Sequence, residues 1–222
     1  KIREKFVMVN SKLNYAVKFT FTSIIIGSIL GLVGASAAHY FREGVILISD
    51  SFSQIINSSY GFFYYIFTLS IAAFIVYQVK KVNSEKPFQG IADSIFYAHR
   101  PDNEADIKSG ILSTLAAFIS AGGGASVGQY GPLVHFGATI GSWLKEKLPF
   151  KLSLDFYIGG GVAAAISSGF GAPLAGMVFA HEAIMRHYSH KAVLSIAIAS
   201  CVAFGLSTTL WGESLIFPIS KV

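Results

Sequence analysis

The chain alternates long stretches that hold no charged side chain with short stretches that hold all of them. Five charge-free runs, Phe19 to Phe41, Ser51 to Val79, Ser109 to Leu144, Phe156 to His181 and Ala192 to Gly212, contain 135 of the 222 residues. The 29 charged residues, 17 basic and 12 acidic, are confined to the other 87. A bilayer core about 30 Å thick takes about 20 apolar helical residues, and every run reaches that length. The pattern predicts an all-α, multi-spanning membrane protein and excludes a soluble globular domain. A signal peptide does not account for the first run, which is too long and is followed by four more.

The first two runs read as ordinary spans. Gly27, Gly31 and Gly34 give the first a small-residue face for close helix packing, and Arg42, Glu43 and Asp50 fall in a loop between the two. The third run differs, because its 36 residues as one helix would reach about 54 Å. It is expected to break at Gly122-Gly123-Gly124 and Gly128-Gln129-Tyr130-Gly131-Pro132, then resume as a helix through Leu144. The fourth run repeats the device, with Gly159, Gly160 and Gly161 early and Gly169-Phe170-Gly171-Ala172-Pro173 before another apolar stretch. Glycine loosens the backbone and proline suits the first turn of a helix, so two helices are predicted to begin inside the bilayer. Irregular backbone at that depth must be buried in protein or line an aqueous path, since an unsatisfied amide in lipid costs several kcal/mol.

Charge then gives the orientation and the chemistry. Lys1, Arg3, Lys5, Lys12 and Lys18 precede the first span, and Lys80, Lys81 and Lys86 follow the second. Basic residues so placed predict a cytoplasmic N-terminus and account for the net charge of +5 without a nucleic-acid partner. The single cysteine, Cys201, supports neither a disulfide framework nor a zinc site. Around Gly128 to Pro132 there is no carboxylate to hold a cation and no Lys or Arg to hold an anion permanently. Helix N-termini present unpaired N–H groups with about half a positive charge, and weak amide coordination suits an anion that must leave again. Against that stand two plainer readings: glycines that serve helix packing only, and Tyr130 as an interfacial aromatic.

These residues carry a resemblance. Gly128-Gln129-Tyr130-Gly131-Pro132, with Leu133 to Gly137 and Ile140-Gly141 after it, resembles the Gly-Lys/Arg-Glu-Gly-Pro motif that opens helix F in the CLC family of chloride channels and chloride/proton antiporters. Gly161 to Ala165 and Phe170 to Phe179 resemble the family's helices G and H and are the more specific match. Gln89-Gly90-Ile91-Ala92 is similar, by spacing, to the Gly-Ser-Gly-Ile-Pro start of helix D. The resemblance runs from about residue 15 to residue 222 and covers the first of the family's two inverted repeats. It implies that residues 1–222 are the N-terminal half of a CLC-type transmembrane domain in a trimmed chain. The missing half would carry a Gly-x-Phe-x-Pro segment and a pore tyrosine.

The resemblance implies an anion site at the N-termini near Gly90 and Gly131, with Gln89, Gly90, Ile91, Gly128, Gln129, Tyr130 and Gly131 as its residues. It also implies a homodimer, its interface including residues 172–212, in contact with lipid. The departures from the family pattern carry function. Tyr130 stands where the family has its gating glutamate, and a phenol with an ordinary pKa near 10 stays neutral at pH 7. Ala183 stands where the antiporters have their internal proton-transfer glutamate, and Gln89 replaces the helix D serine. The expected activity is therefore passive permeation of chloride or a similar small anion, gated at Tyr130, with no cofactor and no enzymatic step. The rivals are a proton-coupled antiporter using His135 or Glu182, and a non-conducting scaffold. His135, one turn past Pro132, is the local candidate for pH-sensitive gating.

Other chemistry is excluded by spacing. A zinc helix needs two histidines at i and i+4, whereas His187 lies six residues after His181. No Lys-Ser or Lys-Thr follows the Gly122–Gly128 stretch, so it is no phosphate loop. Glu182 and Arg186 are expected to form an i, i+4 ion pair.

Overall fold

The computed structural model describes residues 2–56, 61–84, 86–100, 104–150, 152–189 and 191–212, with side chains described from residue 13 onward except 52–56. Among them are eight α-helices and one π-helical turn. The order is α1 Ile2–Ile56, α2 Gly61–Val82, α3 Ile91–His99, α4 Ile107–Gly122, α5 Tyr130–Lys147, α6 Leu154–Phe170, α7 Pro173–Phe179, the π turn Ala180–Met185 and α8 Ala192–Leu210. Among the described residues, three stretches are long and apolar enough to cross a membrane, Leu13–Ser51, Gly61–Val82 and Ala192–Leu210. The exposed faces of α2 are apolar, with Phe62, Phe63 and Phe74 turned outward, as a lipid-facing helix requires. The chain is an integral membrane protein.

The third run breaks as expected, between Gly122 and Tyr130, and the fourth between Phe170 and Pro173. Both breaks are tied by side chains from other helices, which meets the demand that mid-membrane backbone be satisfied. Tyr65 Oη on α2 donates to the Gly124 carbonyl at 2.8 Å, and Ser200 Oγ on α8 donates to the Pro173 carbonyl at 2.7 Å. Gly124, Gly128 and Gly171 take φ of +95°, +72° and +63°, the left-handed region that glycine enters without strain.

Three expectations are corrected. Arg42, Glu43 and Asp50 do not form a loop: they lie inside the 55-residue helix α1, because no glycine or proline interrupts residues 45–56 and Arg and Glu are good helix formers. The second span consequently starts at Gly61 rather than Ser51. Gly159, Gly160 and Gly161 do not loosen the chain either. They sit within continuous helix α6, buried with every residue from Phe156 to Gly169. Their lack of side chains admits close neighbours instead of a break. Finally, no ion pair joins Glu182 to Arg186 among the described residues. The turn is π-helical and Arg186 is left-handed at φ +52°, so the i, i+4 geometry of an α-helix does not apply there.

α6 is the centre of the bundle, packed on α1, α5, α7 and α8. The small-residue face of α1 is as expected: added methyl groups on Gly27, Gly31 and Gly34 would lie 2.6 Å from the Ser195 carbonyl oxygen, 2.7 Å from that of Ala199 and 2.8 Å from Ala164 Cβ. α5 meets α6 in the same way through Gly137 and Gly141 against Tyr157 to Gly161. Hydroxyls join α6 to α8, Ser167 Oγ donating to the Ser200 carbonyl at 2.6 Å and Ser168 Oγ pairing with Ser207 Oγ at 2.6 Å. These contacts fix α5 and α7, the two helices that begin at the breaks.

Candidate anion site

α3 and α5 begin next to each other. A methyl group on Gly131 would lie 3.9 Å from Ile91 Cδ1, and both residues line a cavity of about 410 Å³ with Tyr130, Val134, Ile166, Phe170, Ala172, Ala175 and Phe179. No charged side chain is in that wall. The first turn of a helix leaves its amides without intrahelical partners. In α5, Pro132 has no N–H to offer, so Tyr130 and Gly131 supply that turn's donors. The Leu133 amide is already bonded to the Gln129 carbonyl at 3.1 Å.

Tyr130 is half-buried, and its ring stacks on Phe170 with centroids 4.1 Å apart and 25° between planes. Gly169, beside the pair, makes room for Leu133: a methyl group there would come within 2.9 Å of Leu133 Cδ2, whereas Tyr130 Cε1 would lie at an ordinary 3.9 Å. One aromatic stack thus joins the two helix breaks at the cavity wall.

The expected set does not converge as a whole. Tyr130, Gly131 and Ile91 share the large cavity. Gly128 and Gln129 line a separate pocket of about 290 Å³ against Val45, Ile46, Ser49 and Asp50 of α1. Gln89 turns toward α4 and the far end of α3: its amide donates to Ser113 Oγ at 2.8 Å and its Nε2 to Tyr97 Oη at 3.3 Å. The Gly90 amide is also engaged, donating to Asp93 Oδ2 at 2.7 Å. A carboxylate at that position complements the helix dipole; the first-turn amides of α3 that lack an intrahelical acceptor are those of Ile91, Ala92 and Asp93.

His135 is buried on α5, its Nδ1 2.9 Å from Ser94 Oγ on α3. Outside the spans, Asp106 caps α4 by accepting from the Ser109 amide at 3.0 Å and from Lys86 Nζ at 2.9 Å. The Lys86 ammonium and that amide hold the Asp106 carboxyl down at about 2, well below the usual range. Among the described residues no three His, Cys, Asp or Glu side chains gather as metal ligands.

Sequence reasoning missed Phe170, Phe179, Asp93 and Ser94. Asp93 had a readable signal, an acid three residues into a helix that opens with glycine. Phe170 sat beside the recognised break. Ser94 and Phe179 are brought in by tertiary packing alone.

Residues 68–222 match the family described as voltage gated chloride channel. The chain is 20% identical over 211 residues to the voltage-gated ClC-type chloride channel ClcB of Salmonella typhi, covering 90% of this chain and 50% of that protein. It is 25% identical over 111 residues to human H(+)/Cl(-) exchange transporter 7, covering 44% of this chain and 14% of the transporter. A crystal structure of a CLC-type fluoride/proton antiporter superposes with a TM-score of 0.70 at 22% identity, over 93% of this chain and 51% of that one. The chain thus spans half the length of its bacterial relative and one half of the CLC-type fold. The chain belongs to the voltage-gated chloride channel family.

Proposed function

We propose that this chain forms half of an anion conduit through a membrane, in which chloride or a similar small halide is held by backbone amides of Ile91 and Ala92 on α3 and of Tyr130 and Gly131 on α5. The observation that carries the reading is the meeting of two helix N-termini on one cavity without charge in its wall. Helix N-termini favour an anion, and neutral amides let it go. In this reading transport is uncoupled, because position 130 carries a phenol and position 183 an alanine where the family resemblance places a gating and a proton-transfer glutamate. The relatives' names support anion transport and include channels and exchangers alike. In this proposal the second repeat completes the conduit, the N-terminus faces the cytoplasm, and a homodimer forms through the side carrying exposed Leu174 and Val178 of α7.

The test is halide efflux from proteoliposomes holding the full-length protein. Tyr130→Ala should raise flux by removing the ring from the cavity wall. Tyr130→Glu should give low flux at pH 7 that rises on acidification toward the ordinary carboxyl pKa near 4.3. Flux unchanged in both variants would exclude Tyr130 from the conduit.

A further inference from the structure

His135 has a neighbourhood that the conduit does not use. It is 4% exposed, its Ser94 partner 2%, and its Nε2 has no hydrogen-bond partner. His135 also lines a second cavity, of about 10 Å³, with Gln89, Tyr97, Asp106, Thr139 and Ser142. That is room for about one water, which needs two to four polar partners. They are at hand. Thr139 and Ser142 donate their own hydrogens to the His135 and Ala138 carbonyls at 2.9 and 3.0 Å, leaving lone pairs as acceptors. Tyr97 Oη accepts from Gln89, so its own hydrogen remains to donate. Asp106 also lines this cavity, has 30% of its side chain exposed, and is bonded to the exposed Lys86.

We propose that this cavity holds one water on His135 Nε2, and that the water passes protons between His135 and the α3–α4 loop side, making His135 a proton-binding site behind the anion cavity. A proton arriving at the Asp106 mouth joins the water, which releases another of its protons to Nε2. An N–H bond forms, an O–H bond breaks, and the ring becomes imidazolium. For Nε2 to accept, the neutral ring carries its hydrogen on Nδ1, which donates to Ser94 Oγ before and after the transfer while the Ser94 hydroxyl hydrogen goes to the Gly90 carbonyl, 3.3 Å away. The titratable groups near the new charge are Tyr97 and Asp106 in the cavity wall, Asp106 bonded to Lys86, and Asp93 in the first turn of α3; α6 adds only Ile158 to the cavity wall. One turn from Gly131, the imidazolium attracts an anion in the adjoining cavity. For its effect on flux, this inference rests on the conduit reading.

Two measurements on the full-length protein decide it. In proteoliposomes, halide flux should rise about five-fold or more, the lower range of coupling between sites, as the α3–α4 loop side is acidified. His135→Gln should flatten that profile while keeping the flux of the parent at high pH. An unchanged profile in His135→Gln, or a response to the opposite side only, overturns the proposal. Independently of flux, the His135 ring nitrogens in 15N-histidine-labelled protein, identified by their response to Ser94→Ala, should pass from the neutral to the doubly protonated form on acidification. A ring that keeps one protonation state throughout overturns it. A parent protein without halide flux would sink the conduit reading instead, and the ring titration would still decide the proton site.

Discussion

The position of α5 rests on a backbone-to-backbone approach that one methyl group tests. Gly137 lies midway along α5, and a Cβ there would sit 2.5 Å from the Gly161 carbonyl oxygen, 2.8 Å from Ala165 Cβ and 3.0 Å from the Gly161 carbonyl carbon. Ordinary contact begins at 3.4 Å, so Gly137→Ala must push α5 from α6 by about 0.9 Å. Two of those three neighbours are backbone atoms of a fully buried helix, so no rotamer change can absorb the methyl. Overpacking of a close-packed interior costs about 1–3 kcal/mol, and for a chain of this size each kcal/mol lowers Tm by about 2–4 °C. Because α5 carries Tyr130 and Gly131, the same shift should lower halide flux. Gly205 on α8 has nothing within 4 Å of such a methyl, and Gly205→Ala should be neutral or stabilising by up to about 1 kcal/mol through helix propensity. The assay is thermal unfolding in detergent of the parent and both variants, with flux measured on each. A Gly137→Ala protein that melts with the parent and conducts as well as it does would refute the close α5–α6 approach.

Three further outcomes follow from the same geometry. Phe170→Ala should reproduce the flux change of Tyr130→Ala, because the two rings stand as one pair; halide efflux checks it. Tyr65→Phe should cost about 0.5–1.5 kcal/mol by leaving the Gly124 carbonyl without its donor, seen as a lower Tm. Asp106 has its pKa depressed from 3.8 to about 2, so its contribution is present above pH 4 and is lost as pH falls toward 2. The shift corresponds to roughly 1–2 kcal/mol after discounting for its partial exposure. Stability measured against pH should show that loss in the parent, and it should be absent from Asp106→Asn, which keeps a capping side chain.

The breaks were legible because proline acts locally: Pro132 and Pro173, each preceded by glycine within two residues, can only stand in the first turn of a new helix. The packing face of Gly27, Gly31 and Gly34 was legible for a similar reason, a repeat at helical spacing. Charge misled at Arg42 and Glu43, since a charged side chain does not end a helix and both lie inside α1. Gly159 to Gly161 misled too, since the same residue type permits a break or a close approach, and only the partner helix decides. The anion-site residues were named from a linear motif, but neighbours in a turn point in different directions. Tyr130 and Gly131 therefore reach the large cavity, while Gln129 faces α1 and Gln89 faces α4. The Ser94–His135 pair joins positions 41 residues apart, a contact that no local pattern encodes.

The central claim is that an anion crosses at the α3 and α5 N-termini without exchanging for a proton. Its most direct test is to load proteoliposomes of the full-length protein with chloride, impose an outward chloride gradient at equal pH, and record chloride and proton movement together. Chloride efflux carried electrically, with no proton moved against its own gradient, is the predicted result; protons driven uphill by the chloride gradient would contradict it.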